Sequence, residues 1–162
     1  MAIATAALKA QIDLQTRLFN NVAEGISDTE SGQRNSEQIN NMKWVAGHIL
    51  HTRLGSMSKL AGLQPDDTYE AKFGRGNSFD PAATYPPIEE IRDRWQATAA
   101  AISEGIGKMP EDMAASKSPA QVPIADDTIR GLASFLVSHE AYHIGQLGIL
   151  RKMVGKDAMS FK

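Results

Sequence analysis

The 162-residue sequence contains no cysteine. That absence excludes disulfides, thiolate metal sites, iron–sulfur clusters and a cysteine nucleophile, and it leaves nitrogen and oxygen as the ligands for any metal. It also fits a reducing compartment. Long apolar runs are missing too, since none approaches the roughly 18 residues of a membrane helix before histidine, glycine or charge breaks it. No membrane partner is expected. Neither sign of charge dominates: 17 Lys and Arg against 19 Asp and Glu give a formal net charge of −2. The signs are interspersed, so there is no basic face to hold a nucleic-acid backbone. Strand composition is confined to Gln121-Val122-Pro123-Ile124, where Pro123 limits the stretch to an edge or an extended link. From Met1 to Leu8 no basic cluster precedes the apolar residues, so no secretory leader is expected and a cytoplasmic location is.

Helical periodicity fills the space that strands leave. Leu8, Ile12, Phe19 and Val22 recur at helical spacing between Ala4 and about Glu24, with Leu14 and Leu18 widening the face before Gly25. A polar stretch from Ser27 to Arg34 leads to a second segment, with Asn35 as its N-cap and Gln38 three residues on. This segment runs through Ile39, Met42, Val45, Ile49 and Leu60 to Gly62. From Leu63 to Pro86 no period holds, and a connection of about 24 residues exceeds the usual helix link, as functional lids and crossovers do. Pro87 suits the first position of a third segment, in which Ile88, Ile91, Trp95, Ala99 and Ile102 step by three and four towards Gly105 or Gly107. Past a second proline-bearing connection, Thr128 precedes a fourth segment whose seam is Leu132, Leu136, His139, His143, Leu147 and Leu150. The expected fold is all-α, a four-helix bundle in a single domain over residues 1–162, with a long loop between the second and third helices.

The fourth seam would be an ordinary bundle interior if its two histidines were leucines. Their i, i+4 spacing puts both imidazoles on one face, a turn apart. Of the sequence's 4 histidines, His48 lies near the middle of the second segment, level with this pair whichever way the helices run. An unpaired buried polar group costs about 1–3 kcal/mol, so three imidazoles in one apolar layer need an occupant, and a divalent metal provides one. A lone seam histidine is more often bonded to a backbone carbonyl. His51, about one turn beyond His48, competes with it as ligand, or supports the site from behind, or is a solvated histidine at the bundle's edge.

Read literally, His139-Glu140-Ala141-Tyr142-His143 is the H-E-x-x-H signature of zinc metallopeptidases. No histidine or glutamate follows His143 to complete such a site, and Gln146 and Ile149 occupy the positions of the known extension. A peptidase is not expected. Glu140 points about 100° away from His139 on a helix, which makes it a support behind the ligands, an inter-helix ion pair or a solvent-facing residue rather than an in-line base. Gln146, on the seam three residues past His143, is a candidate to hold a substrate or a ligand histidine, against a plain surface amide. Arg75, between two glycines of the long loop, is a candidate clamp for a substrate carboxylate, against an ordinary exposed arginine. Trp44 and Trp95 read as core, and Tyr142 is open.

The segment Asn41-Met42-Lys43-Trp44-Val45-Ala46-Gly47-His48-Ile49, followed far downstream by His139-Glu140-Ala141-Tyr142-His143-Ile144-Gly145-Gln146-Leu147, resembles the DinB-like (DinB/YfiT) superfamily of metal-dependent four-helix-bundle proteins. The resemblance spans nearly the whole chain. It implies a mirror variant of the up-and-down bundle, a three-histidine site for zinc or nickel with water at the open positions, and homodimers. On that match the ligand from the second segment is His48, which follows the Trp-x-x-Gly pattern, and not His51. Characterised relatives include transferases and isomerases that use small bacterial thiols, while many members have no known activity, so the resemblance speaks to the site before the reaction. The expectation is a divalent-metal-binding protein acting enzymatically on a small-molecule substrate. Thiol S-transfer, with a low-molecular-weight thiol as co-substrate, ranks ahead of hydrolysis, and the alternative is a non-catalytic metal-binding or dimerisation module. An open pocket at the metal favours the enzyme, and a fourth protein ligand favours the module.

Overall fold

The apolar seams form helices in the computed structural model, which describes residues 3–34 and 36–161. Helix α1 (Ile3–Ala23) buries Leu8, Ile12, Phe19 and Val22, and Gly25 follows it at a φ of 68°. The polar stretch that follows is partly helical: α2 (Asp28–Gly32) closes on a capping box between Ser27 and Glu30. Helix α3 (Met42–Thr52) starts later than its sequence suggests. The expected cap, Asn35, lies outside the described residues, and the cap is Asn41, whose side-chain oxygen accepts the Trp44 N–H at 2.9 Å. Asn41 also donates to the Gly32 carbonyl at 3.2 Å, a contact with α2 that local spacing does not encode.

Past Thr52 the same rod continues through a π-helical turn (Arg53–Met57) into α4 (Ser58–Leu60), and Gly62 ends it at a φ of 74°. The long connection is irregular except for one turn, α5 (Glu70–Phe73). Helix α6 (Ile88–Gly107) buries its expected seam, with Pro87 as cap rather than first helical residue. The second connection carries α7 (Glu111–Ala115), and Gln121–Ile124 is irregular, bending at Pro123 and Ile124 rather than forming a strand or a straight link; among the described residues the one bridge outside helices joins Lys117 to Thr128. Helix α8 (Ile129–Met153) begins at Thr128, whose hydroxyl accepts the Gly131 N–H.

Helix α1 packs on α6 and α8, and α3 packs on the same two, so α1 and the α3–α4 rod stand at opposite corners. Directions follow from the pairs in contact. Lys9 bonds Ser103 and Asn20 bonds Gln96, so α6 runs against α1. Arg151 near the end of α8 bonds the Val22 carbonyl near the end of α1, so these two run together. Asp28 holds both Lys43 and the Ile88 N–H while Ala61 meets Gly105, so the rod and α6 share a direction. The order is up, down, down, up, a variant in which the first two long helices are diagonal rather than adjacent.

One apolar cluster, around Phe19, Trp44, Ile49, Trp95 and Leu147, fills one end of the bundle. A second, around Ile12, Met57, Ile102 and Leu136, fills the other. Where they meet, fully buried Arg53 makes a two-pronged bond to fully buried Glu140, Nε to Oε1 at 2.7 Å and Nη2 to Oε2 at 3.1 Å. The Arg53 guanidinium also lies over the Trp95 ring, 3.5 Å from its centroid. Such a pair adds little net stability over apolar residues of the same size, yet losing one partner costs about 3–5 kcal/mol. It therefore fixes the register of the rod against α8.

Candidate metal centre

Beside that ion pair, the rod and α8 present their histidines to each other. His48 Nε2 and His143 Nε2 each lie 3.1 Å from His139 Nε2. The three residues form the group able to hold a metal ion that is found among the described residues. Nitrogens bound tetrahedrally at about 2.0–2.1 Å stand roughly 3.3–3.4 Å apart, so the spacing suits one shared cation. His48, the second-segment candidate that follows Trp44-x-x-Gly47, is in the group, and His51 is not.

The far side of each ring settles which nitrogen is free. His48 Nδ1 meets the Phe73 carbonyl oxygen at 3.2 Å, and His143 Nδ1 meets Gln146 Oε1 at 2.7 Å. Both partners are acceptors, so both Nδ1 atoms carry the hydrogen and both Nε2 atoms turn a lone pair inward. A single hydrogen on His139 Nε2 answers one of the two inward contacts and leaves the lone pair of the remaining nitrogen without a donor. A divalent cation answers all three. His139 Nδ1 is buried without a partner.

Burial above all, then the neighbouring His143 and His48, pushes the His139 imidazole down to about 4. Burial also lowers His48, assisted by His143 and opposed by the Phe73 carbonyl, and lowers His143 against the opposing bond from Gln146. All three are held neutral near pH 7, the state that binds metal.

Local structure explains the motif around His48. Its ring stacks on Trp44 at 5.1 Å between centroids, 7° from parallel. A Cβ on Gly47 would overlap the Phe73 ring, so only glycine lets α5 dock closely enough for the Phe73 carbonyl to reach His48. A cleft of about 510 Å³ opens beside the group, with His48, His51, Phe73, Arg75, Phe135 and His139 among its walls.

The other candidates fall into distinct places. Glu140 is the buried partner of Arg53, an inter-helix ion pair as one of the three readings had it, and is committed away from the histidines. Burial pushes its carboxyl up and Arg53 opposes the shift. The H-E-x-x-H likeness thus lacks its base. Gln146 bonds His143 and donates to the Tyr142 hydroxyl at 3.1 Å. His51 turns Nε2 towards Glu70 Oε2 at 3.2 Å while its Nδ1 is buried without a partner. Arg75 stands exposed on the cleft wall.

Sequence reasoning missed the Phe73 carbonyl, Glu70 and Arg53. The first two come from the aperiodic connection, where spacing carries no signal. Arg53 did carry one, lying four residues past Ile49 on the apolar seam, where a charge demands a partner.

Among solved structures, a conserved protein from Enterococcus faecalis superposes with a TM-score of 0.66 at 15% sequence identity, covering 95% of this chain and 98% of that one. At that identity the likeness concerns the fold. No curated protein matches the sequence. A family model described as the DinB superfamily matches residues 11–147, a span holding all three histidines and most of the bundle. The chain belongs to the DinB superfamily.

Proposed function

We propose that this chain is a metal-dependent enzyme acting on a small molecule, with thiol S-transfer as its reaction and hydrolysis as the second choice. The supporting observation is the three-histidine group, two of whose members, His48 and His139, line an open cleft, with no fourth His, Asp or Glu joining it among the described residues. Three protein ligands and an open position are the pattern of catalytic rather than structural zinc sites. Zinc or nickel held by His48, His139 and His143 would keep its full charge and bring the pKa of a bound thiol or water near neutrality. No cysteine is then required of the protein.

The chain's own residues supply the rest. Phe73 and Gln146 keep the inward nitrogens of His48 and His143 deprotonated, and the proton that the thiol gives up would leave to solvent through the cleft, since His51 Nε2 is engaged by Glu70 and its Nδ1 is buried. Sulfur then forms its bond to the acceptor carbon as the leaving group departs with the electrons of the bond it breaks. The two copies of a homodimer would each carry a complete site.

Metal analysis of purified, tag-free protein tests the reading. Roughly one divalent ion per chain is expected, lost in H48A, H139A and H143A and retained in H51A. The loaded protein should then consume a small thiol together with an aryl halide, and H139A should not. Loss of the ion in H51A alone would overturn the ligand set. Full loading with no turnover across a panel of thiols and esters would favour the non-catalytic module.

A further inference from the structure

The polar groups around the cleft are unevenly charged. No aspartate or glutamate lines it, although the chain has 19, and its one fully charged side chain is Arg75. The nearest carboxylate the site uses, Glu70, is turned to His51. Arg75 has no hydrogen bond or ion pair of its own among the described residues, so its guanidinium fork is uncommitted. The loop that presents it is a built turn. Gly74 N–H bonds the Glu70 carbonyl at 2.8 Å, Asn77 N–H bonds the Gly74 carbonyl at 3.0 Å, and the Asn77 amide reaches back to the Glu70 and Ala71 carbonyls. A Cβ on Gly74 would strike the Glu70 carbonyl, and Gly76 holds a φ of 90°, so glycine is required on both sides of Arg75.

Part of the cleft wall is apolar, formed by Val122, Phe135 and Leu136. A cavity with one apolar side and a few convergent polar groups is the usual form of a small-molecule site. We infer that the ligand is a small organic acid, its carboxylate held by both prongs of Arg75 and its apolar body lying against Phe135 and Val122. This names a substrate class for the function proposed above and rests on that reading for the ion, but not for Arg75. A phosphate is disfavoured because one arginine faces it without the ring of backbone N–H donors that phosphate sites present. The bidentate fit is what arginine supplies and lysine does not.

Phenylacetate is a suitable probe, titrated into the zinc-loaded and the chelated protein by calorimetry. Phenylacetamide serves as its neutral isostere, acetate lacks the apolar body, and phenyl phosphate carries the rival anion. Phenylacetate should bind at least tenfold more tightly than each of the other three. R75Q should weaken it at least tenfold, R75K should restore part of the loss, and both variants should melt as the wild type does, since Arg75 is exposed. Equal binding of acid and amide, equal binding by wild type and R75Q, or preference for phenyl phosphate would each overturn the inference.

The chelated arm separates this inference from the metal reading. Arg75-dependent binding in a protein that takes up no ion would leave the organic acid standing and reject the metal. A stoichiometric ion with Arg75-independent binding would do the reverse.

Discussion

Gln146 decides which nitrogen of His143 carries the hydrogen, and that role has a measurable size. Outer partners of metal-bound histidines are typically worth 10–100-fold in affinity, so Q146A should weaken zinc by about that factor in competition with a chromophoric chelator. Unchanged affinity would mean that ring packing alone orients His143. Glu140 belongs to a different class. E140Q strands the buried Arg53 charge and should cost about 3–5 kcal/mol in denaturant unfolding, while the double variant R53M/E140L should lie close to wild type. A mild E140Q would show that the pair is wetter than its full burial indicates. At this scale the sequence was legible where side chains carry the chemistry: His139 and His143 are spaced by one turn, and His48 sits at the matching level. It was illegible where the backbone carries it. The Phe73 carbonyl reaches His48 across 25 residues, and no side-chain pattern marks a carbonyl.

Among the elements, the docking of α5 on α3 is the one that brings an acceptor to the outer nitrogen of His48. G47A should push the Phe73 ring away and withdraw its carbonyl from His48, leaving a helical protein whose zinc affinity falls by at least tenfold, read by circular dichroism beside metal competition. Wild-type affinity in G47A would show that His48 needs no outer partner. The four long helices were readable because each repeats its apolar seam over many turns. Helices α2, α5 and α7 span 5, 4 and 5 residues, too few for a period to emerge. The start of α3 was misplaced for a related reason: Asn41 is chosen as cap partly by its bond to the Gly32 carbonyl, a contact that exists only once α2 has formed. The π turn left no trace in the spacing, since one extra residue reads as ordinary drift of the seam.

For the molecule as a whole, metal and protons should act on one equilibrium. Folding lowers the affinity of His139, His48 and His143 for protons, so the unfolded chain binds more of them below its own pKa of about 6.5. The sign follows: metal-free protein keeps this stability above about pH 6.5 and loses it as pH falls towards the folded value of about 4 at His139. Protons also compete for the ion later than free imidazole would suggest. Chelation should therefore lower the melting temperature, by the equivalent of about 2.7 kcal/mol at a free ion concentration roughly a hundredfold above Kd, and should still do so below pH 6.5, fading near pH 4. Calorimetry with and without chelator checks this, and an effect already absent at pH 6 would contradict the lowered affinities. The bundle's outer surface carries a second expectation. Tyr142, Ile149 and Met153 are 64%, 60% and 49% exposed at helical spacing along α8, an apolar strip that a two-fold partner could cover. Sedimentation at tens of micromolar, a concentration set by ordinary affinity arithmetic, should find a homodimer, and a monomer there would reject a stable one. The π turn bears on how the rod tolerates a change in its length. A helix whose ends are both pinned, here by the histidine layer above and the Gly62 cap below, accommodates an inserted residue as a local bulge instead of rotating everything beyond it. Removing one residue within the Arg53–Met57 turn is therefore expected to restore ordinary helix there while His48 stays level with His139 and His143.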